Sequence, residues 1–200
     1  MAVEGGEAHV RGGRLAAATD ECKEEERRQE ARDGVVGARI VAESGAGKTR
    51  LLREFAHRAE AAGDFVAHAH PDAYWAEVAY HTVREAILGL TGHTEQTLLG
   101  TDGRRATAEV RRGLEMILSG AAPKGDRRSP VERRHAVAEA FRWAVQATAE
   151  HGGERVVLVV DELHRVDGPS RQAIADVLAD PPRRSLLVLA GHVPGFDAGW

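Results

Sequence analysis

Cysteine is nearly missing from this chain of 200 residues, where Cys22 stands alone. That excludes an intramolecular disulfide and a zinc site built from several cysteines, and it fits a reducing, cytoplasmic setting. Lysine is almost as scarce: of 27 basic residues only Lys23, Lys48 and Lys124 are lysine, the rest being arginine. There is no basic excess, since the net charge is -4, so nothing in the overall balance advertises nucleic acid. No apolar run approaches the roughly eighteen residues of a membrane helix, and the first thirty residues or so lack the apolar block of a signal peptide. Aromatics amount to 4%, so Tyr74, Trp75 and Tyr80 read as anchors of helix packing before they read as a base-stacking surface. With 42% hydrophobic residues the chain can bury one good core and has no room for a second full domain.

Against that background, the placement of Lys48 stands out. In RIVAESGAGKTRLL, Arg39 to Leu52, an apolar stretch runs through a small-residue loop into a helical pattern, with the lysine at the bend. Ala42, four residues, then Gly47, Lys48 and Thr49 match the phosphate-binding P-loop, relaxed at its first position, where glycine is usual. At this chain's own residue frequencies the pattern would arise by accident with a chance of roughly 1%.

Residues 1–34 form a leader, glycine-rich and irregular in GGEAHVRGGR, then charged at helical spacing without an apolar stripe in DECKEEERRQEAR. From Val35 strands alternate with helices. GARIVA, DFVAHAH, RVVLVVDE and SLLVLAGH read as strands. The segments from Lys48, from about Tyr80, from about Ala106, from Pro130 and from Gly168 read as helices. The first of these puts Leu51, Leu52, Phe55 and Ala59 on one face, with Gly63 as a stop; Ser129, Pro130 and Glu132 form a capping box. Asp167 or Ser170 caps the last. Nearly uninterrupted apolar strands imply a parallel sheet covered on both faces, with ligands at the strands' carboxyl ends. The loop at Ala42–Thr49 and the pair Asp161, Glu162 both fall at such ends.

This combination suits nucleotide chemistry. Gly45, Ala46 and Gly47 leave backbone N–H groups free to form an anion nest, and the helix opening at Lys48 adds its positive end. Ala42, Glu43, Ser44 and Arg50 complete the phosphate-binding stretch. Lys48 would reach the β- and γ-phosphates, and the Thr49 hydroxyl would ligate Mg2+. Asp161 would hold the Mg2+ shell, and Glu162 would orient or deprotonate the attacking water. No Asn-Lys-x-Asp sequence reads guanine, which tilts the choice toward ATP. His68 and His70 share a strand face, but no third metal ligand is evident. The arginine pairs 104–105, 111–112, 127–128 and 133–134 read as solvated helix surface.

ESGAGKTRLLREFAHRAEAAG with VVLVVDELHRVDGPSRQAIADVLA resembles the AAA-type ATPase module of the signal-transduction ATPases with numerous domains (STAND), related to origin-recognition ATPases. Asp161, Glu162, Leu163, His164, Asp167 and Ser170 fall on the family pattern, whereas Arg165 replaces its tryptophan and Gly168 its proline. The resemblance spans about residues 35 to 195. It implies a three-layer P-loop sandwich with a mostly parallel sheet, ending after the fourth core strand without the fifth strand, the helical lid and its arginine, and so leaving an edge beside the P-loop strand. It also implies an ATP-driven switch with weak or partner-dependent hydrolysis, one module among other domains or subunits of a regulatory protein. The family's adenine-holding box is degenerate here as Val10 to Arg14, and His192 is the nearest candidate for its polar sensor. Two further readings stand beside it: a non-catalytic scaffold with a vestigial site, and a DNA-loading origin-type ATPase, for which no basic recognition helix is present.

Overall fold

Alternating apolar runs and amphipathic stretches fold as expected, into a parallel sheet between two helical layers. The computed structural model describes residues 8–9, 35–71, 73–75, 77–98, 106–122, 125–148, 155–182 and 186–200. The strands are β1 (Ala8–His9), β2 (Val35–Val41), β3 (Phe65–Ala69), β4 (Val156–Val160) and β5 (Leu186–His192). The helices are α1 (Lys48–Ala61), α2 (His81–Thr91), the single turn α3 (Glu95–Thr97), α4 (Ala108–Ser119), α5 (Pro130–Ala147) and α6 (Gly168–Ala179). The sheet order is β1-β2-β5-β4-β3, every pair parallel. β5 therefore lies between the strand that feeds the loop and the strand that ends in Asp161.

Because side chains alternate along a strand, β3, β4 and β5 feed two cores. On one face Ala38, Ile40, Val157, Val159, Leu187 and Leu189 meet Leu52, Ala56 and Ala59 of α1. On the other, Leu158, Val160, Val188 and Ala190 join the cluster that holds Val83 and Ile87 of α2, Leu114 and Ile117 of α4, Phe141 of α5, and Ile174 of α6. The expected stripe of α5, Val137, Phe141, Ala144 and Val145, is wholly buried. Its capping box forms as expected: Glu132 N–H donates to the Ser129 hydroxyl at 3.2 Å and Ser129 N–H to the Glu132 carboxylate at 2.7 Å. α4 and α5 approach closely at Gly113, where a Cβ would come 2.0 Å from the Ala136 carbonyl oxygen.

The amino ends of β3 and β4 are tied by a buried ion pair. Arg155 donates from Nε and Nη2 to the two carboxylate oxygens of Asp64 at 2.9 and 3.0 Å, with side chains 7% and 4% exposed. A second pair closes the connector before α5. Arg128 donates to both oxygens of Asp126, and these bonds hold the Asp126 carboxyl below the usual carboxylate range.

Four expectations need correction. Leu51 is 40% exposed, because the helix turns Leu52, Ala56 and Ala59 inward and leaves Leu51 at the rim. Tyr74 and Trp75 do not anchor helix packing: they are 81% and 43% exposed on a 3-10 turn, edge to face with one another, and Trp75 stacks on His81. Arg128 and Arg134 are not simply solvated, since they pair with Asp126 and Asp176. Finally, the glycine-rich start is not wholly irregular. Ala8 and His9 pair with Ile40 and Val41, so the β2 edge carries a strand just before the loop. The charged stretch 20–32 and the segment 10–14 lie outside the described residues.

Arg155→Ala should lower the unfolding free energy by about 3–5 kcal/mol in denaturant titrations, because it strands a buried carboxylate. Asp126 offers a pH test. Its lowered folded value means that its contribution is full above the ordinary aspartate range and is lost as pH falls through the lowered value. The stability difference between the parent and Asp126→Asn should therefore shrink as pH is taken from about 5 to about 2, followed by denaturation at each pH.

Candidate nucleotide-binding site

The loop between β2 and α1 is shaped by its glycines. Gly45 and Gly47 take positive φ of 79° and 92°, the left-handed region that side chains disfavour, and neither has an atom within 4 Å of a would-be Cβ. Ala42, at the position where glycine is usual, needs no such freedom: the non-glycine residues with positive φ among those described are Tyr80 and Glu162. Gly47 is the N-cap of α1 and offers no side-chain acceptor, and the helix has no acid in its first turn. The opening N–H groups and the dipole therefore face the loop without an internal anion. Lys48 lies back across the loop, its ammonium donating to the carbonyls of Ala42 at 2.7 Å and Glu43 at 2.9 Å. Ala46 N–H closes the turn onto the Glu43 carbonyl at 3.2 Å.

Across β5, the end of β4 meets this helix. The Thr49 hydroxyl donates to Oδ2 of Asp161 at 2.6 Å, joining residues 112 apart in sequence. Gly191 leaves room beside it: a Cβ there would lie 3.1 Å from Leu52 Cδ1 and 3.2 Å from Asp161 Oδ1. Oδ1 of Asp161 accepts the Glu162 N–H at 2.9 Å, and Glu162 itself has φ 50° and ψ 47°. An open cavity of about 660 Å3 is lined by Ser44, Gly45, Gly47, Lys48, Thr49 and Arg50 with Asp161 and Glu162, and continues along Arg53, Glu54 and His57 of α1. The Thr49 hydroxyl and the Asp161 carboxylate are hard oxygen donors of the kind that suit Mg2+.

Beyond Glu162 a 3-10 turn, Leu163–Arg165, leads to Asp167. Burial pushes the His164 imidazole below the usual histidine range. Glu162 opposes that shift, while Arg165, Lys48 and His192 reinforce it. His192 ends β5, 3% exposed, with Nδ1 donating to the Val193 carbonyl at 2.9 Å and Phe196 against its ring. Asp167, buried, accepts three backbone N–H bonds: Ser170 at 2.8 Å, Tyr80 at 2.9 Å and Thr82 at 3.3 Å. It thus caps α6 and, across the fold, α2 as well.

Of the sequence-predicted residues, Ser44, Gly45, Gly47, Lys48, Thr49, Arg50, Asp161 and Glu162 are thus brought to one cavity, whereas Ala42, Glu43 and Ala46 are not among its lining and enter the loop's own hydrogen bonds. His68 and His70 stack on each other at 5.7 Å, away from that constellation, and no group of three metal-ligating side chains occurs among the described residues. Sequence reasoning missed Gly191, although a glycine inside an apolar strand signals close approach. It also missed Arg53, Glu54 and His57, whose spacing from Arg50 marks one helical face, and the second helix that Asp167 caps.

A parallel α/β sandwich with this loop feeding a helix, and an acidic pair two strands over, defines a P-loop nucleotide-binding module. The AAA ATPase domain family model matches residues 27–189, and the chain belongs to that family, an ATP-binding AAA module. No curated protein matches it. Among solved structures, a chain in a structure of Drosophila ORC bound to GC-rich DNA and Cdc6 is similar at 11% identity and TM-score 0.37, covering 92% of this chain and 55% of that one. The chain thus spans about half the length of that neighbour. A likeness so distant adds nothing to the fold described above. No described helix is long and apolar enough to cross a membrane.

Gly191→Val is expected to force α1 away from Asp161 and weaken Mg-nucleotide binding by about tenfold or more, measured by titration with a fluorescent nucleotide on protein whose circular dichroism is unchanged.

Proposed function

We propose that this chain is a Mg-ATP-dependent switch of the STAND type in a signalling or transcriptional regulator, with weak or partner-dependent hydrolysis. On this reading residues 35–200 are the ATPase core and 1–34 a leader. The stretch Ala42–Arg50 wraps the phosphates, with Lys48 on the β- and γ-phosphates. Thr49 and Asp161 hold Mg2+, Glu162 orients or deprotonates the attacking water, and His192 is the candidate sensor of the terminal phosphate. Further domains or subunits would supply the signal, the output and whatever completes charge neutralisation around the phosphates.

The observation that carries the reading is the 2.6 Å bond between Thr49 and Asp161. An accidental Gly-Lys turn has no reason to present its next hydroxyl to a carboxylate at the end of a buried strand. A second reading, a scaffold with a vestigial site, is supported by Lys48, whose ammonium already has two carbonyl partners within the loop.

Thermal unfolding with and without Mg-ATP separates the two. At a hundred times its Kd a ligand should add about 2.7 kcal/mol of stability to the parent and nothing to Lys48→Ala. Equal shifts in both proteins would remove Lys48 from the site, and no shift in either would favour the scaffold. Glu162→Gln should retain the shift while losing phosphate release.

A further inference from the structure

The cavity does not end at the loop. It runs on along α1 past Thr49, where Arg50, Arg53, Glu54 and His57 form its wall. Glu54 and His57 already have partners farther down the helix: Arg58 Nε donates to the Glu54 carboxylate at 3.0 Å, and His57 Nδ1 stands 3.4 Å from Glu60 Oε2. The guanidinium groups of Arg50 and Arg53 have no ion pair among the described residues. Arg50 adjoins the phosphate loop, whereas Arg53 has no evident part in the fold.

Arg53 stands about one turn beyond Thr49, on the side of α1 that meets the end of β4. Helical side chains lean toward the amino end, so a residue covers the surface of the turn before its own. For Arg53 that turn carries Thr49, whose hydroxyl bonds Asp161 at 2.6 Å. The electrostatics agree. His68, paired with Val159 across β3 and β4, is held below the usual histidine range first by burial and then by His70, with Glu60 opposing the shift and Arg53 adding to it. The Arg53 charge therefore lies toward β4 and β3, on the flank of the loop where Asp161 and Glu162 stand.

We propose that Arg53 binds the terminal phosphate of a nucleoside triphosphate held by the loop, and so lets this cavity tell a triphosphate from a diphosphate. The proposal rests on the reading of Lys48, Thr49 and Asp161 given above. On that reading Asp161 and Glu162 bring negative charge to the place where the phosphate chain ends, so positive charge beyond Lys48 and the metal ion is needed there. Arginine suits the task, because its planar fork presents parallel donors to a phosphoryl group and no carboxylate of the chain competes for it.

The experiment is calorimetric titration of the whole chain with Mg-ATP and with Mg-ADP, comparing the parent with Arg53→Gln, Arg53→Lys and Arg58→Gln. Arg58→Gln removes the same charge from the same helix outside the cavity lining and serves as the control. Arg53→Gln should weaken ATP binding about tenfold and ADP binding less than about twofold. Arg53→Lys, which keeps the charge but loses the fork, should fall between the parent and Arg53→Gln, and Arg58→Gln should bind both nucleotides like the parent. Equal losses for ATP and ADP in Arg53→Gln, or no loss for either, overturn the assignment of Arg53 while leaving the nucleotide site in place. The same ATP-selective loss in Arg58→Gln also overturns it, since net charge alone would then explain the effect. If the parent binds neither nucleotide, the nucleotide reading fails first and the role of Arg53 with it.

Discussion

The structure depends on how closely the first turn of α1 can come to the carboxyl end of β4. One strand, β5, separates the loop's own β2 from β4, and it must leave room at residue 191, beside Leu52 of α1 and Asp161. Gly191 satisfies that constraint. With that position bare, the Thr49 hydroxyl and the Asp161 carboxylate sit at bonding distance, and Lys48 and Glu162 line the same cavity. A Cβ at residue 191 would press on both Leu52 and Asp161, so one position bears on helix packing and on site geometry alike.

The second organising contact lies on the other side of the acidic pair. α2 begins at Tyr80 in a left-handed conformation with no side-chain cap of its own, and Asp167 supplies the missing acceptor while also capping α6. Val83 N–H bonds the Ser170 hydroxyl in the same cluster. The end of the turn after Glu162 is thereby bonded to the start of α2, where Trp75 stacks on His81. The residues from Asp161 to Ser170 that resemble the STAND pattern accordingly divide into two kinds: Asp161 and Glu162 face the cavity, whereas Asp167 and Ser170 tie elements together.

Most of the fold and much of the site were legible in the sequence, and the exceptions share a physical reason. The loop is readable because its requirements are local: small residues for positive φ, a helix start, and a lysine in a chain that otherwise uses arginine. The strands are readable because burial on both faces removes alternation, as in Val156–Val160. What could not be read depends on partners distant in sequence. Gly191 matters because of Leu52 and Asp161, Asp167 because of Tyr80, and the pairing of Ala8–His9 because of the free edge of β2. Tyr74 and Trp75 misled because aromatic side chains are usually buried, whereas here they meet edge to face at the surface and Trp75 stacks on His81. Arg165 reads on sequence only as a departure from the STAND pattern, and its pairing with Glu162 emerges from the turn geometry.

The central claim is that Thr49 and Asp161 act together as the metal-holding half of a nucleotide site. Its most direct test is a double-mutant cycle, Thr49→Ala, Asp161→Asn and both, with ATP affinity measured by calorimetry at low and saturating Mg2+. The expected result is that Mg2+ strengthens ATP binding by the parent, that each single change removes that gain, and that the two are coupled by about 1 kcal/mol or more. Additive effects, with ATP affinity indifferent to Mg2+ in all four proteins, would contradict it.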